Sequence, residues 1–137
     1  MIDIENYIVD KLSKALKQQF SDIFVKSEYT KNVSQFPCVL VQERANTVYL
    51  NSRDENIENH VNLMYQIDIF SNAIGSKKKE CKDILKVVDD TMANEGFTRI
   101  MAEPIDNIED ATIYRYTARY QAIASKAIDG INYIYRN

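Results

Sequence analysis

Between Val61 and Phe70 the residues alternate: Val61, Leu63, Tyr65, Ile67 and Ile69 are apolar, and Asn62, Gln66 and Asp68 stand between them. A period of two sends the first set to one side of a pleated strand and the second set to the other. The chain must therefore build a sheet with one dry face and one wet face. Thr112 to Ala124 repeats the pattern, with Tyr114, Tyr116, Ala118, Tyr120, Ala122 and Ala124 set against Ile113, Arg115, Thr117, Arg119, Gln121 and Ile123. This run predicts the longest strand. Asn62, Gln66 and Asp68 from one strand and Arg115, Thr117, Arg119 and Gln121 from the other line the wet face, which suits contact with another protein. The dry face needs a cover.

Two segments can supply that cover. Ile4, Ile8, Leu12, Ala15 and Leu16 recur at helical spacing, with Lys11, Lys14, Lys17 and Gln18 between them, and predict an amphipathic helix ending near Gln19 or Phe20. Asp3 is its expected N-cap. The stripe Cys81, Ile84, Leu85, Val88 and Met92 predicts a second helix from Lys77 to Glu95, capped by Ser76 and stopped at Gly96. Ile23-Phe24-Val25, Phe36 to Gln42 and Phe97 to Ala102 read as further strands, with Pro37 near the start of the second. Pro104 and the acidic turn Asp106 to Asp110 follow the third. The segment from Glu43 to Asn59 is polar and reads as a long hairpin loop in which Val48-Tyr49-Leu50 pairs only briefly. After the turn Asp129-Gly130, residues 126–137 form a C-terminal arm or a short strand. The expected architecture is α+β over 1–137 as one domain, with a mainly antiparallel sheet of about four to five strands and two helices packed on one face.

A chain of 137 residues is long enough to bury roughly 68% of its unfolded surface around one core. Its 17 Lys+Arg against 20 Asp+Glu leave a net charge of −3, which gives no overall field toward phosphate or anionic lipid. Lys77-Lys78-Lys79 is broken at once by Glu80 and reads as a solvated helix start. No apolar stretch of about 18 residues is present to span a bilayer. The N-terminal residues, with Asp3 and Glu5 and no basic region, do not resemble a signal peptide, so the expectation is a chain that stays in the cytoplasm. Cys38 and Cys81 lie in apolar runs and read as small buried hydrophobes rather than a disulfide.

Catalysis requires a nucleophile beside a base, a metal cluster or a phosphate loop. His60 is the sole imidazole, and with no second His or paired Cys at ligand spacing it reads as a surface or turn residue. The carboxylates at Asp54, Glu55 and Glu58, at Asp89 and Asp90, and at Asp106, Glu109 and Asp110 read as solvated groups. Gly75, Gly96 and Gly130 are too few and too scattered for a phosphate cradle. Tyr114-Arg115-Tyr116 with Arg119 and Tyr120 interleaves aromatic and basic residues as single-strand binders do. Alternation spoils that reading by sending the tyrosines and arginines to opposite faces, which places the tyrosines under the helices. The expectation is a chain that is not an enzyme, with no catalytic residue, metal site or cofactor.

Taken together, the N-terminal helix, the run Phe36-Pro37-Cys38-Val39-Leu40-Val41, the polar hairpin, the strand Tyr65 to Ser71 leading into the helix after Ser76, Gly96-Phe97, the closing run Tyr114 to Tyr120 and the ending Ile134-Tyr135-Arg136 are similar to the tail-terminator, or tail-completion, proteins of long-tailed bacteriophages and related prophages. The similarity covers nearly the whole chain. It implies a structural protein whose hexameric ring caps the tail tube, stops its polymerisation and docks to the head connector. Double-stranded DNA passes through such a ring without specific binding, and no membrane is involved. It further implies assembly in the bacterial host cytoplasm and a final place in the virion tail or head–tail junction. Carried onto this sequence, the resemblance nominates the hairpin from Arg44 to Glu58, with Arg53, Asp54 and Glu55 at its tip, for contacts with the tube or connector. Arg115 and Arg119 on the wet face join them as interface candidates. Neck proteins that join head to tail share the outline and are the nearest alternative. From the residues alone, a ferredoxin-like binding or regulatory module using Arg115 and Arg119 as anion partners is the other alternative, and a hydrolase built on His60 and a carboxylate is a distant third.

Overall fold

The computed structural model describes residues 2–28, 33–48, 60–106, 110–126 and 132–135. In chain order these form α1 (Glu5–Gln19), β1 (Phe24–Lys26), β2 (Cys38–Val48), β3 (His60–Ser71), α2 (Lys77–Asn94), β4 (Thr98–Ile105), β5 (Tyr114–Lys126) and β6 (Asn132–Tyr135). The strands make one sheet in the order β1-β2-β3-β5-β4. β1 runs parallel to β2 and the remaining pairs are antiparallel. β5 is the organising strand. Tyr114 to Ser125 pair with β3, while the other edge is shared between β4, opposite Arg115 to Gln121, and β6, opposite Ile123 to Lys126. The fold is α+β, as the alternation and helical spacing require, with six strands among the described residues. The sixth comes from the C-terminal segment, which returns as a strand.

The dry face is the one the sequence marks. Val61, Leu63, Tyr65, Ile67 and Ile69 of β3 and Ala118, Tyr120, Ala122 and Ala124 of β5 are buried in one cluster with Ile8, Leu12 and Leu16 of α1 and the Cys81-to-Met92 stripe of α2. Each fully buried aliphatic side chain of this kind contributes about 1.5–3 kcal/mol through removal from water. Tyr114 and Tyr116 pack partly buried against the same cluster, so the β5 tyrosines do lie under the helices. The helices run antiparallel. Tyr7 near the start of α1 donates to Glu95 just past α2 at 2.8 Å, and Phe20 after α1 lines a small recess with Ser76 and Glu80 at the start of α2.

Several local readings change. Glu43 to Val48 continue β2 instead of opening the loop, because their polarity is satisfied by tertiary partners: Tyr65 donates its hydroxyl to Glu43 at 3.3 Å and the Asn46 amide donates to the Ile2 carbonyl at 2.8 Å. Arg44 accordingly sits at a bulge within a strand, where the register shifts between Glu43 and Ala45. Pro104 lies inside β4, opposite Tyr116, on an outer strand where a missing N–H is tolerated. Asp3 accepts the Glu5 N–H at 3.1 Å, while the boundary residue of α1 is Ile4. Ser76 occupies the N-cap of α2 but makes no side-chain capping bond. The first turn is instead anchored by Ser71 of β3, whose hydroxyl donates to Glu80 at 2.7 Å. Gly96 ends the α2 segment at φ +90°, where a side chain would be strained.

Candidate functional site

The register of β3 against β5 sets Asp68 opposite Thr117, Gln66 opposite Arg119 and Phe70 opposite Arg115 on the face away from the helices. Asp68 is only 1% exposed. A buried carboxylate is costly unless its oxygens are fully engaged, and here they are. Arg115 donates to Oδ1 through Nε at 3.2 Å and Nη2 at 3.0 Å, and the Thr117 hydroxyl donates to the same oxygen. The Gln66 side-chain amide donates to Oδ2 at 3.1 Å, and its own oxygen accepts from Arg119 Nε at 3.2 Å. The Arg115 guanidinium also lies 5.6 Å from the centre of the Phe70 ring, a cation–π distance. The result is a bonded chain of five side chains crossing two strands. At its lower margin Cys38, Leu40 and Phe70 form a second buried cluster, packed by Val33, Phe36 and Ile113.

The sequence candidates fall unequally on this surface. Arg115 and Arg119 are both on it. Arg115 is committed to Asp68 with its side chain 33% exposed, whereas Arg119 is exposed and bonded to Gln66 through Nε. Arg44 is exposed at the β2 bulge, apart from the network. Arg53, Asp54, Glu55 and Glu58 lie outside the described residues. Asp68, Gln66 and Thr117 belong to the wet face by parity alone, and only the register makes them the centre of the network. The signal was an aspartate in the middle of an otherwise apolar strand, with arginines of the same parity on its neighbour.

The remaining reactive groups are tied into packing. Cys81 faces the carbonyls of Ile69 and Tyr114, both 3.7 Å from its sulfur, and burial with the nearby Glu80 charge pushes its thiol up to about 12. Burial raises the Cys38 thiol as well. Thiols held protonated are poor nucleophiles. Tyr120 donates to Asp89 at 3.0 Å, and Arg99 reaches the same carboxylate oxygen at 3.5 Å. Burial, then the Asp89 charge, raises the Tyr120 hydroxyl far above its ordinary value. Asp110 closes a local turn by accepting from the Thr112 N–H at 2.9 Å, and bonding to Thr112 lowers its carboxyl pKa. His60 opens β3 opposite Ser125. Among the described residues no group of His, Cys, Asp and Glu is arranged to hold a metal ion, and no helix is long and apolar enough to cross a membrane. No protein-family model matches the chain, and no curated protein matches it.

Proposed function

We propose that this chain is a structural assembly protein that forms a ring at the head-proximal end of a phage tail, ends tail-tube polymerisation and docks to the head connector. The observation that carries the reading is the bonded network around Asp68 on the polar face. Both oxygens of Asp68 are bonded by groups from its own and the neighbouring strand, so the face offers a fixed shape and charge pattern rather than a reactive group. Such a surface works by complementarity. The order of helices and strands agrees with the resemblance to tail terminators, and the thiols and buried tyrosines are held in protonated, packed states that do not favour bond-making. In this reading the partners are copies of the chain, the tail-tube protein and the head connector, with double-stranded DNA passing through without specific binding. A neck ring of similar outline uses the same surfaces.

Mass photometry at micromolar concentration, alone and with assembled tail tubes, tests the proposal. Ring-sized particles, free or on tube ends, are the expected result. A chain that stays monomeric with tubes present and leaves their ends bare overturns it. One observation favours a second reading: the Arg119 guanidinium is exposed and, among the described residues, is held by Gln66 through Nε, as an anion-recognition module requires. A small anionic molecule retained through purification, and lost in Arg119→Ala, would favour that module over the ring.

A further inference from the structure

The two helices carry opposite relations between charge and chain direction. α1 has Glu5 in its first turn and Lys17 in its last, the order a helix dipole favours. α2 leans the other way: Lys77, Lys78 and Lys79 crowd its start around a single acidic residue, Glu80, which is bonded to Ser71, its last turn has no basic residue, and Asp89, Asp90 and Glu95 gather near its end. Its exposed stripe reads Lys78, Lys82, Lys86 and then Asp90 at intervals of four residues. Like charges at that spacing repel, and among the described residues Lys78 and Lys82 have no ion-pair partner. Lys79, by contrast, pairs with Asp83 at 2.8 Å. Local helix energetics alone would not select this arrangement.

Because the helices are antiparallel, the reversed gradient of α2 adds to that of α1. One end of the helical layer gathers the α2 lysines with Lys17 of α1, and the other gathers Asp90 and Glu95 with Asp3 and Glu5. The field of the second end is visible at Glu43, whose carboxyl is raised by burial first and by the Asp3 and Glu5 charges in addition. At the lysine end Gly75, Ser76 and the first-turn lysines of α2, with Lys82 and Lys86 and with Asp83 as the one acidic member, line an open groove of about 690 Å³. Ile74, fully exposed, stands next to it, an unburied aliphatic beside the charges. The ends are complementary to one another, and the exposed residues Lys78 and Asp90 that mark them lie about 18 Å apart along α2, at 1.5 Å per residue.

We infer that the helical layer is a head-to-tail contact between copies of this chain: the lysine end of one copy, with Ile74 as its apolar contact, docks on the Glu5–Asp90–Glu95 end of the next. A contact between two different patches is heterologous and closes into a ring when its rotation permits. The inference rests on the ring reading and specifies which surfaces meet. It also gives the reversed charge order of α2 a role between molecules.

The test is charge reversal read by sedimentation velocity, at low and high salt, with tail tubes added if the parent chain needs them to associate. Lys78→Glu/Lys82→Glu and Glu5→Lys/Asp90→Lys are each expected to associate at least about tenfold more weakly than the parent. An equimolar mixture of the two variants is expected to recover association, because each then offers the charge the other lacks. Both reversals lie on exposed or half-buried helix positions, and the lysine variant, relieved of its conflict with the helix dipole, keeps a thermal midpoint at or above the parent's. A parent that associates while both variants match it overturns the charge-end contact and leaves the ring reading standing. Variants that weaken association with no recovery on mixing also overturn the contact. A parent that is monomeric even on tubes overturns both. Double-stranded DNA binding lost in the lysine variant, with self-association unchanged, assigns the lysine end to phosphate and overturns the contact.

Discussion

The two faces of the sheet solve the same problem of burial by different means. Under the helices, β3 presents Val61, Leu63, Tyr65, Ile67 and Ile69, each no more than 1% exposed, and the layer is held by volume and by exclusion of water. On the opposite face the same strand presents Asp68, as deeply buried, and holds it by directional bonds to Arg115, Thr117 and Gln66. Packing by volume tolerates exchange among similar shapes. A bonded network does not, because each member fixes the direction of the next. The difference marks the outer face as the one on which the position of each side chain matters most.

Substitutions that strike one face at a time test this contrast. The largest effect is expected at Ile67→Ala, which opens a cavity under both helices and costs about 2–5 kcal/mol, read from the denaturation midpoint. If the loss is under 1 kcal/mol, the inner face is less tightly packed than its burial indicates. Asp68→Asn keeps the shape but removes the charge from Arg115, with an expected cost of about 1.5–3 kcal/mol. Paired with Arg115→Met in a double-mutant cycle, the two losses are expected to be non-additive; simple additivity would mean that the outer face is not a coupled network. The smallest effect is expected at Glu43, at the margin of the inner face. Its folded pKa is raised, so the native state holds the proton more tightly than the unfolded chain. The stability this contributes is present below the ordinary glutamate value and is lost as pH rises through the raised value. Glu43→Gln should therefore match the parent in acid and be modestly more stable than it at neutral pH, measured as the difference in thermal midpoints across that window. A gap that widened toward acid would reverse the assignment.

Much of this architecture is legible in residue order because it rests on periodicity. The alternations of β3 and β5 and the stripes of α1 and α2 each identify a buried side without reference to distant residues. The polar half of β2 is not legible, since Glu43 and Asn46 belong to a strand only by virtue of Tyr65 and the Ile2 carbonyl, partners remote in sequence. The outer network was half visible. Parity put Asp68, Arg115 and Thr117 on one face, but which of them meet depends on a register that no local pattern encodes. In the sequence the lysines of α2 stand out as a run of three, the mark of a solvated helix start. Their spacing beyond the run, at Lys82 and Lys86, acquires meaning only once α1 is known to lie antiparallel beside them.

Cys38 and Cys81, both free, lie on opposite sides of the sheet, one packed with Phe36 and Phe70 and the other on the buried side of α2. A thiol-specific reagent applied to the unaltered chain thus samples two independent doors, and peptide mass mapping tells which one has swung. The protein carries its own pair of chemical clocks, one timing exposure of the outer layer and the other timing the lifting of a helix.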